Sequence, residues 1–539
     1  MLAWVSPKSR GRKSSKPVRR QASSRGASGA SRLREPEFRD GRDDIVKNLA
    51  LLADAAAVPS AYEAEALVSV LVGYLIQAGI PEPSLTRLML DVIDELRRRD
   101  ADHSYPALRA LAVIGPPGVT EYAAAAAGRL AARDACLPWI AGIGDVTAGT
   151  CHLAANAAGD TTLVSCEFTY ADGSKPHAVW AVLDAAWHGV PASLMLADDL
   201  PEARARLASN AKIAGAEVRE VPAAEAAPVV LAAIDALILH GPPPERDRKD
   251  DSFSMACSSL SVARHRAELL LGPDGKPPAR DLVEDRWPAA ARDQLAEEFL
   301  ASPHAREFTD MASRTVHRLL ITLSIDMLGC DPTAASPAAL ARILLYAVPS
   351  ILAAPDRYGN LIPPVARSWM EWLMDRRALD KPARRQIRRQ LQATLRRFPA
   401  VWNGPLQSPM RRYVQDLPDE VICDGTKLAH VLERREFAVP VPTDRASGTV
   451  AGKPGRRARD VTALDPADPV DRRLITFNDL SARMISQHSF GSYVTVVEQL
   501  WAGNPAELWL AAKRMLNAGQ SREAVLDRLA RATSPESRQ

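Results

Sequence analysis

Cysteines and aromatic residues are scarce in this chain. Six cysteines stand among 539 residues, at positions 136, 151, 166, 257, 330 and 423. That density excludes a disulfide scaffold. No two are close enough for a CxxC element, so neither a zinc ribbon nor a thioredoxin-like site is expected. Reduced thiols in a cytosolic protein fit best. Aromatics make up 5% of the residues, so the cores must rest on Leu, Val, Ile and abundant Ala, which favours helix and buries little area per residue. Long apolar runs are also missing. The longest region, 66–80, is broken by Ser69, Gly73 and Gln77 and falls short of the ~20 residues that span a bilayer. It reads as a buried helix. The opening MLAWVSP passes into Lys and Arg, so neither a secretory signal nor a membrane partner is expected.

Chemical signatures are missing as well. There is no GxSxG nucleophile elbow and no HExxH. GIGDVTAG at 142–149 is glycine-rich, but Thr150 and Cys151 follow it where a phosphate loop needs Lys and then Ser or Thr. It reads as a connecting loop. His152, His177, Asp184 and His188 cluster in sequence. His177 and Asp184 are seven apart, so on one strand they face opposite sides. Arg98 and His103, with four residues between them, have a spacing found in some helical ribonucleases. The fragment RRRDADHSYP reads instead as a fraying helix end before Pro106. Acid pairs such as Asp198-Asp199 and Glu297-Glu298 have no identifiable acid/base partner. The sequence therefore specifies no cofactor, no metal and no catalytic residue, and the reading leans away from an enzyme.

Charge is present and unevenly placed. Residues 1–42 hold 12 Lys/Arg against 3 Asp/Glu, a net of +9, while the remainder holds 56 against 62, a net of −6. The first segment is rich in Ser, Arg, Lys and Gly, and a disordered basic tail is expected there. The second basic feature is 381–412, with nine Lys/Arg and no acid. Within it Ile387, Leu391, Leu395 and Phe398 recur at helical spacing, while Arg384, Arg385, Arg388, Arg389 and Arg396 fall largely on the other side.

The patterning predicts a mostly α, multidomain fold. Helical regions surround a small α/β module with an antiparallel hairpin. A helical domain is expected over 43–158, with caps at Asp43 or Asp44 and at Ser84. The module spans 159–240: strands in TTLVSCEFTY, HAVWAVLDAAW and ASLMLADD, an Asp172-Gly173 turn, a helix over 202–214, a short strand at 218–221 and a helix over 224–239. A linker over 241–254 precedes a second helical domain over 255–400. A Pro- and charge-rich connector over 401–475 carries weak strand signals at 420–423 and 437–441, with a loop at 446–459. Helices close the chain over 476–539, ending in a hairpin joined around Asn517-Ala518-Gly519-Gln520. Its second helix holds two acids among its arginines, which suits packing better than a DNA-recognition helix.

Three stretches carry a resemblance: CEFTYADGSKPHAVWAVLDAAWHGVPASLMLADD with the following AGAEVREVPAAEAA, then DPTAASPAALARILLYAVPSIL with VARSWMEWLMDRRAL, then NPAELWLAAKRMLNAGQSREAVLDRLA. Together they resemble a group of uncharacterised high-GC bacterial proteins with no established activity, over about half of the chain. The resemblance implies the order helical, small α/β, helical. The turn after Asp184 departs from it, reading AAWHG in place of a more polar, Gly-rich turn.

Three functional expectations follow. The first is a non-enzymatic protein-interaction or scaffold protein of the bacterial cytosol. The second is a nucleic-acid-associated protein using the basic tail and Arg384, Arg385, Arg388, Arg389 and Arg396 on phosphates. The third is an enzyme with an unrecognised site near the α/β module, beside His177, Asp184 or His188.

Overall fold

A computed structural model describes residues 46–47, 60–98, 101–131, 138–242, 251–272, 283–404, 408–440, 449–450, 459–460, 464–481 and 487–533. The basic tail and the caps expected at Asp43 or Asp44 lie outside these residues. Among the described residues the fold is mostly helical with a small five-stranded antiparallel sheet, as the patterning predicts, and a two-stranded ladder.

From Ala61 the described residues run through helices α1 (Ala61–Gln77), α2 (Glu82–Arg98), α3 (Ala101–Ile114) and α4 (Thr120–Ala131). Ser60 caps α1 by accepting from the Glu63 N–H, and Gly79 ends it at φ 75°. Helix α2 starts two residues before the expected cap. Ser84 lies inside its first turn, where its N–H bonds to Pro81 O. RRRDADHSYP is divided between two helices, and α3 continues through Pro106 instead of stopping before it. Leu88, Met89, Val92 and Ile93 of α2 meet Leu108 and Leu111 of α3 and Ala123 and Ala127 of α4 in one core.

The sheet has five strands: β1 (Val146–Ala155), β2 (Thr161–Tyr170), β3 (His177–Asp184), β4 (Val190–Ala197) and β5 (Arg219–Val221). Their order is β4-β3-β2-β1-β5, and every pairing is antiparallel. Strand β1 corrects the sequence reading. The last residues of GIGDVTAG are strand, not loop, and the sheet begins at 146 instead of 159. Small residues such as Ala148 and Gly149 carry almost no strand propensity, and the ladder offered by β2 overrides it. The Asp172-Gly173 turn forms as expected, with Gly173 at φ 78° and the Ser174 N–H bonded to Asp172 Oδ1 at 2.8 Å.

Helix α5 (Leu200–Ala214) covers one face of the sheet, placing Leu207 and Ala211 against Leu163 and Trp180. Helices α6 (Ala223–His240) and α7 (Asp251–Leu271) cover the other. Helix α6 alone among the described helices is long and apolar enough to cross a membrane, a test that core helices also pass, and here it packs on the sheet through Val230, Leu231 and Ile234. Helix α7 begins before the expected boundary at 255 and packs on β4, α6 and α1. Its apolar residues occur nearly all round, so it is central to this half of the molecule. At its crossing with α1, a side chain on Gly73 would sit 2.2 Å from Cys257 O, so only glycine allows the approach.

The remaining helices share one large core: α8 (Ala289–Leu300), α9 (Met311–Thr322), α10 (Pro337–Arg342), α11 (Tyr358–Arg376), α12 (Lys381–Trp402), α13 (Gly425–Ala438), α14 (Pro469–Ser481), α15 (Gln487–Ala502), α16 (Ala506–Asn517) and α17 (Arg522–Thr533). Single π turns, Leu323–Met327 and Ile343–Ala347, extend α9 and α10. The strand signals at 420–423 and 437–441 are overturned. Asp419–Ile422 is a helical turn and α13 runs through Phe437, because Asp424 caps it by accepting from the Thr426 and Lys427 N–H groups. Within the expected loop, Thr449–Val450 pairs with Arg459–Asp460. The closing hairpin packs α17 on α15 through Val525, Leu526 and Leu529.

Candidate functional site

The arginine face forms as the spacing predicts. Asp380 caps α12 by accepting from the Ala383 N–H, and Ile387, Leu391, Leu395 and Phe398 turn into the core. Two of the five arginines are held by neighbours. Arg384 pairs with Asp375 and donates to Leu379 O at 2.7 Å, and Arg388 grips Glu371 with two bonds of 2.7 and 2.6 Å. Arg385, Arg389 and Arg396 are exposed and have no acidic partner among the described residues. At 3.6 residues per turn the three lie within about 40° of one another, opposite the buried stripe.

Beside this helix lies a cleft of about 630 Å³ between α12 and the sheet module. Its polar walls are Asn156, Thr161, Asn210, Gln386, Gln390 and Thr394, and no Lys, Arg or His lines it. Its two carboxylates are already engaged. Asp160 accepts from Asn156, Thr161 and Ser336, and Asp380 caps α12. The electropositive surface and the concave surface are therefore different places.

His152, His177, Asp184 and His188 do not converge. His152 Nδ1 is buried without a partner. Asp184 takes two bonds from Arg342 of α10, one of 2.9 and one of 2.5 Å, which ties the sheet to the second helical body. His188 sits at φ 49° in the AAWHG turn, stacks on His240 at 3.6 Å, and contacts Met327 O at 3.0 Å through Nε2. The cleft is lined by none of His177, Asp184 or His188. No group of three or more His, Cys, Asp or Glu that could hold a metal occurs among the described residues. Arg98 pairs with Glu95, while the His103 side chain lies outside the described residues.

His177 belongs to a buried network that the sequence did not announce. Arg266 of α7 bonds to Glu65 of α1, to Tyr170 Oη at 2.6 Å, and to His177 Nε2 at 3.2 Å. Glu65 also accepts from the Gly144 N–H and from Tyr170 Oη, each at 2.8 Å. Burial, helped by the adjacent guanidinium, pushes the His177 imidazole down to about 3 and keeps it neutral. Burial likewise raises the Tyr170 phenol. Arg266 Nη1 and His177 Nδ1 remain without partners. The available signal was weak: an acid and an arginine, each in the midst of an apolar helix, far apart in sequence.

A further surface lies on the same helices. Helix α7 packs between α1 and α6. Val70 and Tyr74 of α1, Ile238 and Leu239 of α6, and Met255 and Leu269 of α7 are all exposed, Tyr74 to 64% and Leu239 to 59%. Gln77 and Ser254 bond across the α1–α7 seam at 3.2 Å, one residue from Met255.

No family model matches this chain, and no curated protein or solved structure shows detectable similarity to it.

Proposed function

We propose that this chain is a protein-interaction or scaffold protein that docks its partner on the outer surface of α1, α6 and α7. One observation carries the reading: six large apolar side chains are exposed on three helices that pack together through α7. Scattered exposed apolar residues are ordinary, but a concentration of them on adjoining elements marks interaction surfaces. The helices beneath are well anchored, since Gly73 brings α1 against α7 and α7 rests on the sheet. Little reorganisation is then needed on binding. The test is affinity purification of the full chain from its native host, with Tyr74→Glu and Leu239→Glu as paired variants. A partner retained by the native chain and lost with both variants supports the reading. A partner profile unchanged by both variants overturns it.

A second reading rests on a different surface. Arg385, Arg389 and Arg396 form an exposed cationic stripe, without an acidic partner among the described residues, suited to phosphate oxygens. Three phosphate contacts on a duplex imply a log affinity against log salt slope of about −2.7. Fluorescence polarisation with mixed-sequence DNA and RNA measures it. Binding absent at ~50 mM salt, or unaffected by Arg→Glu at all three positions, removes this reading.

A further inference from the structure

Cys151 of β1 and Cys166 of β2 are direct cross-strand partners in the antiparallel ladder. Both side chains turn to the sheet face covered by α6 and α7, and both are buried. Opposed residues in such a ladder have Cα atoms about 4.5–5.5 Å apart, which lies within the range a disulfide spans. The β1–β2 register shifts between Ala148 and Cys151, so the pair stands beside an irregularity where the strand has freedom to adjust. Thr147, Ala148 and Gly149, just before Cys151 in the strand, are exposed.

We infer that Cys151 and Cys166 form a redox-sensitive dithiol that closes to a cross-strand disulfide when it meets a small peroxide. The two thiols are not equivalent. The neighbouring Cys166 lowers the Cys151 thiol, while Cys151 and burial raise the Cys166 thiol. Cys151, set beside the irregularity in its strand, is the attacking sulfur, and Cys166 across the ladder is the resolving one. By contrast, burial pushes the Cys330 thiol up to about 12 and leaves it inert.

The chemistry balances with hydrogen peroxide as oxidant. The Cys151 thiolate attacks one peroxide oxygen and the O–O bond breaks. A sulfenic acid forms on Cys151, and the departing hydroxide takes up the proton that Cys151 released. Cys166 sulfur then attacks Cys151 sulfur, the S–O bond breaks and the S–S bond forms. The hydroxide that leaves takes the Cys166 proton. Two thiols lose two electrons, and one peroxide becomes two waters. The product ties β1 to β2 beneath α6 and α7 and draws the sulfurs to about 2.05 Å, so the packing under those helices must shift.

The test treats the folded full chain with hydrogen peroxide, quenches with catalase, and alkylates in denaturant. Cleavage before Asp134, Asp145 and Asp160 places Cys136, Cys151 and Cys166 in separate peptides. The expected result is a peptide pair 145–159 and 160–171 linked through sulfur and separated by dithiothreitol, with Cys257, Cys330 and Cys423 still alkylated. Full alkylation of Cys151 and Cys166 after peroxide overturns the inference, as does linkage of either to a different cysteine. In Cys166→Ala the sulfenic acid has no resolving partner, so dimedone should label position 151. No label at position 151 there, together with dimedone on Cys166 in Cys151→Ala, reverses the assigned roles. Should this variant not fold, the linkage map of the native chain decides alone.

Discussion

Arg266 and Glu65, 201 residues apart in sequence, form an ion pair that is wholly withdrawn from solvent. It joins the first helical group to the sheet module. A buried pair of this kind is weak evidence of net stabilisation, but removing one partner strands the other charge in the interior. Glu65→Gln or Arg266→Met should each cost about 3–5 kcal/mol. The double variant Glu65→Gln/Arg266→Met should cost less than the sum of the two. Urea denaturation of the four proteins closes the cycle, and simple additivity would show that the pair is not coupled.

Acid sensitivity follows from two buried imidazoles, His177 and His317, and the partly buried His265. Burial holds His177 and His317 at about 3 and His265 at about 4, all below the ordinary histidine value. The unfolded chain therefore binds protons there that the folded chain does not. This contribution is complete above pH ~6.5 and is lost as the pH falls from there toward the folded values, at roughly 1.4 kcal/mol per pH unit per histidine. His317 has no partner on either ring nitrogen and packs on Phe299 and Trp369. His317→Phe should flatten the decline in urea midpoint between pH 7 and pH 5. An unchanged slope would place the acid sensitivity elsewhere.

Gly73 offers a sharper steric test. A methyl group there would overlap the backbone of α7 at Cys257 and Ser258, and backbone does not yield as a flexible side chain does. Gly73→Ala should destabilise by more than about 2 kcal/mol, although Ala is the better helix former at an exposed site. Thermal unfolding compared with Gly128→Ala, where nothing lies within 4 Å, separates the clash from propensity. The Gly128 change should be neutral or stabilising.

Neighbouring arginines on α12 should behave differently. Arg388 is bonded twice to Glu371, while Arg389 is exposed and has no acidic partner among the described residues. Arg388→Ala should lower stability by about 0.5–1 kcal/mol and Arg389→Ala by less than ~0.5. Equal losses in chemical denaturation would mean the outer stripe is engaged within the fold and is not available to a ligand.

The helical body, the Asp172-Gly173 turn and the inward stripe of α12 were legible because each is written in local periodicity or turn chemistry. Strand β1 was not, because its small and polar residues take their conformation from a ladder supplied by β2. The strand signals around 420 and 437 failed for the converse reason: the cap at Asp424 and the core facing α13 outweigh the β preference of Val, Ile and Phe.

The sequence by itself determined the class of fold, the order of its parts, and which side of α12 carries charge, since these depend on neighbours a few residues away. Only the tertiary structure decided that Arg384 and Arg388 are held by acids while Arg385, Arg389 and Arg396 are left to solvent. It alone set Glu65 against Arg266, faced Cys151 with Cys166, and packed α1 and α6 on α7 with apolar side chains of all three exposed. Such relations join residues that chain periodicity does not connect, and packing of the whole chain is what brings them together.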